Sequence, residues 1–221
     1  MKKHALSELI FDFDLYPRGQ VDSHHVTEIV AAIDAGATMP PPIICAKTKR
    51  IVDGFHRIRA YLRRYDEDYE VECIEKTYAN DKDLFLDAMR YNAAHGRALT
   101  QHDKAHCLIL AKKFRIKQDL VAAALNITTE RIGSLTTTRI GRAQGSPIAL
   151  KRTISHMAGH DLTPDQAAAN KKLSGMNQMF YVNQLITLIE SDLLTTDDDD
   201  LMAGLAKLSG LLSGLLKKKA A

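Results

Sequence analysis

The run Ile51-Val52-Asp53-Gly54-Phe55-His56-Arg57-Ile58-Arg59-Ala60 sets a glycine between a short apolar stretch and a helix start that carries basic side chains. That order suits an anion. Backbone N–H groups in the first turn of a helix lack partners within the helix, and the helix dipole adds partial positive charge there. Gly54 would admit a ligand close to the backbone, and His56 and Arg57 would add side-chain donors, the guanidinium to two phosphate oxygens at once. The same residues also fit a plain surface turn ahead of a capped helix. Asp53, just before the turn, and Glu28 are the candidate acid/base groups beside a phosphate, although for Asp53 capping or orienting the turn is the preferred role.

A second constellation spans residues 118–138. Val121 and Ala122 supply an apolar and then a small residue, which lets a second helix cross closely. Leu125 and Ile127 flank Asn126, at a turn position that often needs φ > 0, where asparagine is the next choice after glycine. Thr128 can cap the following helix, and Ile132 and Leu135 point back into a core. This pattern is a helix-turn-helix. Thr128, Thr129, Glu130, Ser134 and Thr137 are left on the outer face to meet base edges, with Gln118 at the start of the first helix. Arg131, Arg139 and Arg142 are assigned to DNA phosphates, which position without specifying. An ordinary helical hairpin is the competing reading.

Nine histidines raise the question of a metal. His102 and His106 stand i,i+4 on a helix, but the run His-Asp-Lys-Ala-His lacks the glutamate of a zinc-protease helix. Solvated or packed histidines are expected, at His24 and His25 as well.

The elements that must position these groups follow from periodicity. Phe11–Leu15 alternates like a short strand. His25–Ala35 is a helix with Val26, Ile29, Val30 and Ile33 on one face and Gly36 as its stop. Pro40-Pro41-Pro42 leads into a buried strand at Ile43–Ala46, paired through the turn at Lys47–Arg50 with Ile51–Asp53. A helix over Phe55–Arg64, a strand over Tyr69–Ile74 and a helix over Asp81–Ala94 complete the mixed part. From Thr100 onward strands are expected to disappear. Helices are predicted near 101–114, 118–125, 128–139, 147–157, 164–173 and 177–194, with Gly141–Gly145 as a loop. A final helix, Leu201–Leu216, places leucines at 201, 205, 208, 212 and 215, while Gly204, Gly210 and Gly214 weaken it. Such a helix needs a partner, and self-association through residues 177–216 is expected, most simply as a homodimer.

Composition frames these readings. The 221 residues are 45% hydrophobic and 26% charged, ordinary for a soluble globular protein. The three cysteines, Cys45, Cys73 and Cys107, are far apart, so a reducing cytoplasm fits and a disulfide framework does not. The opening MKKHALSELIFDFDLYP has no long apolar run and is not read as a signal peptide, and no apolar stretch reaches membrane-spanning length. The net charge of +3 hides an asymmetry: residues 1–100 balance at −2, residues 101–152 at +7 and residues 153–221 at −2. A local basic block points to a polyanion.

The motif VDGFHRIRAY resembles the central turn of the ParB/sulfiredoxin superfamily, whose members hold nucleotide phosphates on glycine-x-histidine-arginine or glycine-x-arginine-arginine turns. Tyr16-Pro17-Arg18, the helix stopping at Gly36, the proline-rich lead into Ile43-Ile44 and the run from Asn92 through His95, Gly96, Arg97 and Leu99 to Thr100 are similar too. The last run is closest to ParB-like regulators related to the streptomycin-biosynthesis activator. The resemblance covers roughly residues 8–140. It implies an α+β ParB/sulfiredoxin-like nucleotide-binding domain over 1–99, a helix-turn-helix domain over 100–152 and a helical self-association region over 153–221. It also implies a nucleoside triphosphate, CTP or ATP, held with magnesium by Gly54, Phe55, His56, Arg57, Asn92, His95 and Arg97, with Asn92 toward the metal. Tyr91 stands where CTP-hydrolysing relatives carry a glutamate, so turnover is expected to be weak or absent. Double-stranded DNA is the expected partner, a partition ATPase is a candidate partner, and the location is cytoplasmic and nucleoid-associated. Two alternatives stay open: a small-molecule kinase or nuclease on the same fold, and a DNA-binding adaptor with a vestigial nucleotide site.

Overall fold

Three consecutive prolines cannot donate to a sheet and hold the chain extended, which delivers Ile43 to the middle of one. The computed structural model describes residues 1–94 and 97–220. Four strands, β1 (Lys2–Ala5), β2 (Ile43–Cys45), β3 (Ile51–Asp53) and β4 (Glu70–Lys76), form a sheet in the order β1-β4-β2-β3. β2 and β3 are an antiparallel hairpin, β2 runs parallel to β4, and β1 is antiparallel to β4 at the edge. β2 is buried at every position, the signature of a strand covered on both faces.

Helices α1 (Ser23–Asp34), α2 (Phe55–Arg64) and α3 (Asp81–Ala94) pack around this sheet, followed by α4 (Gln101–Lys113), α5 (Gln118–Leu125) and α6 (Thr129–Arg139). α1 and α2 enclose a small cluster of Val26, Ile29 and Ala60. The largest core is continuous: Ile43, Val52, Phe85 and Met89 join Leu99, Cys107, Leu110, Val121, Leu125 and Ile132. α3 meets β3 with one part of its surface and α5 with another.

The structure corrects several sequence expectations. Phe11–Leu15 is a turn; Ile10 makes one bridge to Arg50. Asp12 Oδ1 accepts the Asp14 amide at 3.0 Å, a local bond that competes with strand pairing. Phe11 and Phe13 alternate in order to reach the Phe55 ring, edge-on at 5.3 and 5.8 Å. Strands also continue past Thr100: β5 (Ile140–Ala143), β6 (Ser146–Ala149) and β7 (Asp161–Leu162) form a second sheet, order β6-β5-β7. The expected loop at Gly141–Gly145 is therefore strand β5 and a tight hairpin turn. Gln144 (φ 50°) and Gly145 (φ 77°) both take the left-handed conformation that two-residue hairpins demand. The helix expected over 147–157 is replaced by β6 and a 3-10 segment, Arg152–Met157, before helix α7 (Pro164–Lys172).

The chain divides into two compact units, Met1–Gly175 and Met176–Ala221. The second carries helices α8 (Gln178–Glu190) and α9 (Asp199–Ala220). Phe180, Val182, Ile186 and Ile189 on α8 and Leu211, Leu212, Leu215 and Leu216 on α9 are exposed. No helix among the described residues is long and apolar enough to cross a membrane. The architecture is thus an α+β N-terminal part followed by a helix-turn-helix and a helical C-terminal region, with a small second sheet between them.

Gly54 connects β3 to α2 at φ 104°, and a Cβ there would stand 2.8 Å from Pro42 Cβ. Gly54→Ala should therefore cost about 2–4 kcal/mol of stability, from left-handed strain plus a forced shift of the proline. Gly36→Ala, at φ 84° but in open space, should cost about 1 kcal/mol. Equal urea midpoints for the two variants would contradict this packing.

Candidate phosphate cleft and nucleic-acid interface

β3 ends at Asp53 and α2 begins at Phe55, so the turn between them opens into a cavity of about 640 Å³. The turn residues Gly54 to Arg57 line it, together with Asn92 from the last turn of α3 and Arg97 beyond it. Six residues separated by as many as 43 positions in the sequence thus share one cleft. His95, expected in the same group, lies outside the described residues. Because the α2 N-cap is glycine, no side chain caps the first-turn amides, which keeps them available to an anion.

The side chains around the cleft are tied to one another. Arg57 donates to Asp53 at 2.8 Å and to the carbonyls of Pro40 (2.5 Å) and Pro41 (3.3 Å), fastening the proline run to the turn. Asp53 is thereby an ion-pair partner of Arg57. Phe55 is buried, stacked on Tyr16 at 4.0 Å, and forms floor. Asn92, also buried, donates to the Ala88 carbonyl at 2.9 Å and accepts from Arg18 Nε at 3.1 Å. Arg18 also donates to the Arg97 carbonyl at 2.5 Å, and Arg97 pairs with Asp22. The close approach at Gly54 is to Pro42, as described above.

Arg18 and Asp22 were not among the sequence-predicted site residues. Arg18 sits in the Tyr16-Pro17-Arg18 motif, and Asp22 is the α1 N-cap, accepting from His24 and His25 amides. The Asp22 amide in turn donates to His56 Nε2 at 3.1 Å, which fixes that nitrogen as the unprotonated one. Tyr16 lines the cleft with a hydroxyl that is buried without a hydrogen-bond partner among the described residues. Burial pushes that hydroxyl upward, so it stays protonated and able to donate. Tyr91 accepts from Lys76, which also bonds Asp87 at 3.1 Å. Glu28 does not line the cleft; His25 and His24 lie beside it at 3.0 and 3.3 Å, and the His25 hydrogen bond holds its carboxyl below the usual range.

The helix-turn-helix is built from its own short-range chemistry. Asn126 takes φ 51°, ψ 51° at the end of α5, and the Thr128 hydroxyl accepts the Arg131 amide at 3.2 Å to cap α6. Val121, Ala122, Leu125, Ile132 and Leu135 are buried. Gln118, Thr128, Thr129, Glu130, Arg131 and Thr137 are exposed, and Ser134 is partly so. Arg131 is braced by Gln101 at 2.8 Å. Arg142 lies on β5 and binds Asp161 of β7 with two hydrogen bonds, 3.0 and 3.1 Å, a brace across the small sheet. Arg139, at the C-terminal end of α6, is half-buried.

Burial, aided by the charges of His25 and Arg18, pushes His56 from its ordinary 6.5 down to about 4. Between those values the unfolded chain binds more protons than the folded one, so stability falls as pH drops through that window. His102 and His106 are pushed the same way by burial. The His56 ring signal should titrate near pH 4 by NMR, and His56→Gln should make the acid loss shallower by on the order of 1–2 kcal/mol after discounting for partial exposure. A ring titrating at 6.5 would contradict the buried, neutral assignment.

No family model matches the chain. It is 26% identical over 116 residues to a protein of Streptomyces griseus described as a streptomycin biosynthesis operon possible regulatory protein, covering 52% of this chain and 31% of that one. It is 34% identical over 91 residues to the transcriptional regulator NovG of Streptomyces niveus, covering 41% and 28%. The chain therefore spans about a third of the length of these curated relatives. Among solved structures it is similar to the C-terminally truncated chromosome-partitioning protein ParB of Caulobacter crescentus complexed to the centromeric parS site, at 16% identity and a TM-score of 0.43, covering 61% of this chain and 70% of that one. The chain carries an α+β part with a helix-turn-helix behind it, and its sequence is similar to these two streptomycete proteins.

Proposed function

We propose that the chain is a ParB-like DNA-binding regulator that reads duplex DNA with α6 and holds a nucleoside triphosphate in the cleft at Gly54–Arg57. The observation that carries the DNA reading is the capped helix pair: left-handed Asn126, the Thr128 cap, and an outer face of threonine, serine and glutamate within the +7 block. NovG, one of the two relatives, is a transcriptional regulator by name, which favours control of transcription over partition. Paired copies joined through residues 177–216 would present two such helices to two half-sites, and the exposed apolar residues of α8 and α9 support that pairing.

The cleft suits a triphosphate on three counts: the uncapped first turn of α2, the cationic Arg18, Arg57 and Arg97, and the orphaned Tyr16 hydroxyl. Phosphate oxygens would meet the α2 amides and Arg97, and Asn92 would face the magnesium the nucleotide brings. The chain's own residues supply no carboxylate at position 91, where Tyr91 is bonded to Lys76, so binding without efficient turnover is the reading. One observation favours the adaptor alternative: Arg57, Arg97 and Asn92 already have partners within the protein.

Arg131 and Arg139 serve DNA phosphates in this reading. Replacing both by alanine should weaken duplex binding about tenfold or more at moderate salt and flatten the log–log salt slope by about 2, one released counterion for each lost contact. Fluorescence anisotropy over a salt series reads both quantities. An unchanged affinity and slope would rule out this docking.

A further inference from the structure

A second cavity, of about 680 Å³, opens between the start of α4, the end of α6 and the segment after β6. Its charge is one-sided. Arg18, Arg97, Arg139, Lys151 and Arg152 line it, against two carboxylates, Asp22 and Asp103. Asp22 offsets one of these cations, Arg97, and Asp103 is held in capping and backbone contacts. Asp22 caps α1 and pairs with Arg97. Asp103 closes the α4 capping box with Thr100 and accepts the Gly19 amide at 3.1 Å. Arg139 and Arg152 pair with no carboxylate among the described residues. Lys151 is buried, and its ammonium donates to the carbonyls of Lys171 (2.9 Å) and Leu173, which pins a positive charge in the wall.

Like charges gathered in a concave, partly desolvated site repel one another and cost free energy, and a bound anion offsets that cost. The Arg139 guanidinium registers the strain: burial, then Arg152 and Arg131, lowers its proton affinity. Gln101 adds a side-chain amide to the wall, its Oε1 already accepting from Arg131. We propose that this cavity binds a small polyphosphate anion, and that Arg139 joins it to the DNA-reading helix. The site goes beyond the nucleotide reading, since a polyphosphate needs no base in the first cleft. Arg18, His56 and Arg97 border both cavities. An anion here and a DNA phosphate would draw on the same Arg139 side chain, so occupancy of the cavity would weaken DNA binding.

The test is calorimetric titration of the full chain with sodium tripolyphosphate at low ionic strength. A binding event is expected that Arg152→Ala weakens about tenfold or more, through loss of one charge-assisted contact, and that Arg152→Lys largely keeps. Arg152 is exposed, so these variants should fold. Lys117→Ala removes the same charge from an exposed position outside the cavity and should leave affinity unchanged. Absence of binding, or equal losses in Arg152→Ala and Lys117→Ala, would overturn the proposal. So would a wild type that ignores tripolyphosphate while Arg152→Ala loses DNA affinity, which would make the cavity wall part of the DNA surface. Arg152 does not line the Gly54–Arg57 cleft, so tripolyphosphate held there would be insensitive to these variants, and failure of the nucleotide reading leaves this result interpretable.

Discussion

α3 is the element on which the two halves of the first unit depend. Its Phe85 and Met89 are fully buried in the core that α3 shares with β3 and with α5, the first helix of the helix-turn-helix. Burying two such side chains contributes about 4–6 kcal/mol relative to leaving them in water, on the order of a whole domain's net stability. The same helix delivers Tyr91 and Asn92 to the cleft at its last turn. The wall of the cleft and the footing of the helix-turn-helix share one packed core, so a shift of either requires repacking around α3.

Around that footing runs a chain of polar contacts from His56 to Asn92, with the Asp53–Arg57 pair beside it. Asp53 holds Arg57; the Asp22 amide holds His56; the Asp22 carboxylate holds Arg97; Arg18 ties the Arg97 carbonyl to Asn92. Each link neutralises or orients a donor that a phosphate would otherwise claim. An anion entering the cleft would therefore exchange partners with Asp22 and leave that carboxylate free, which is a differential interaction of the kind that shifts a conformational equilibrium. The second, arginine-lined cavity begins at the same Arg18, His56 and Arg97 and ends at Arg139.

What local chemistry controls was legible in the sequence. The bounds of α2 and α3 coincide with the periodic segments Phe55–Arg64 and Asp81–Ala94, and Asn126 and Thr128 do what their side chains are suited to do at a turn and a cap. What depends on distant partners was not. Arg142 reads as one more cation of a basic block until Asp161, 19 residues on, is seen beside it. Phe11 and Phe13 alternate because both rings meet Phe55 edge-on, a cause that mimics a strand. β5 and β6 are four residues each, too short for a period to register, and Gln144-Gly145 is not one of the dipeptides that mark a two-residue hairpin. Arg18 and Asp22 gain their importance from residues 74 and 75 positions away, a separation that no motif spacing encodes.

The central claim is that the cleft at Gly54–Arg57 is a nucleotide site built on the same core as the DNA reader. Calorimetry of the full chain with ATP, CTP and GTP, each with magnesium, in the presence and absence of a duplex, tests it directly. The account predicts that at least one nucleotide binds with Kd below about a millimolar, worth about 4 kcal/mol, that Arg97→Ala abolishes this binding, and that duplex changes the affinity. If none of the three binds below that level, the cleft is a structural remnant and the chain a plain DNA-binding adaptor.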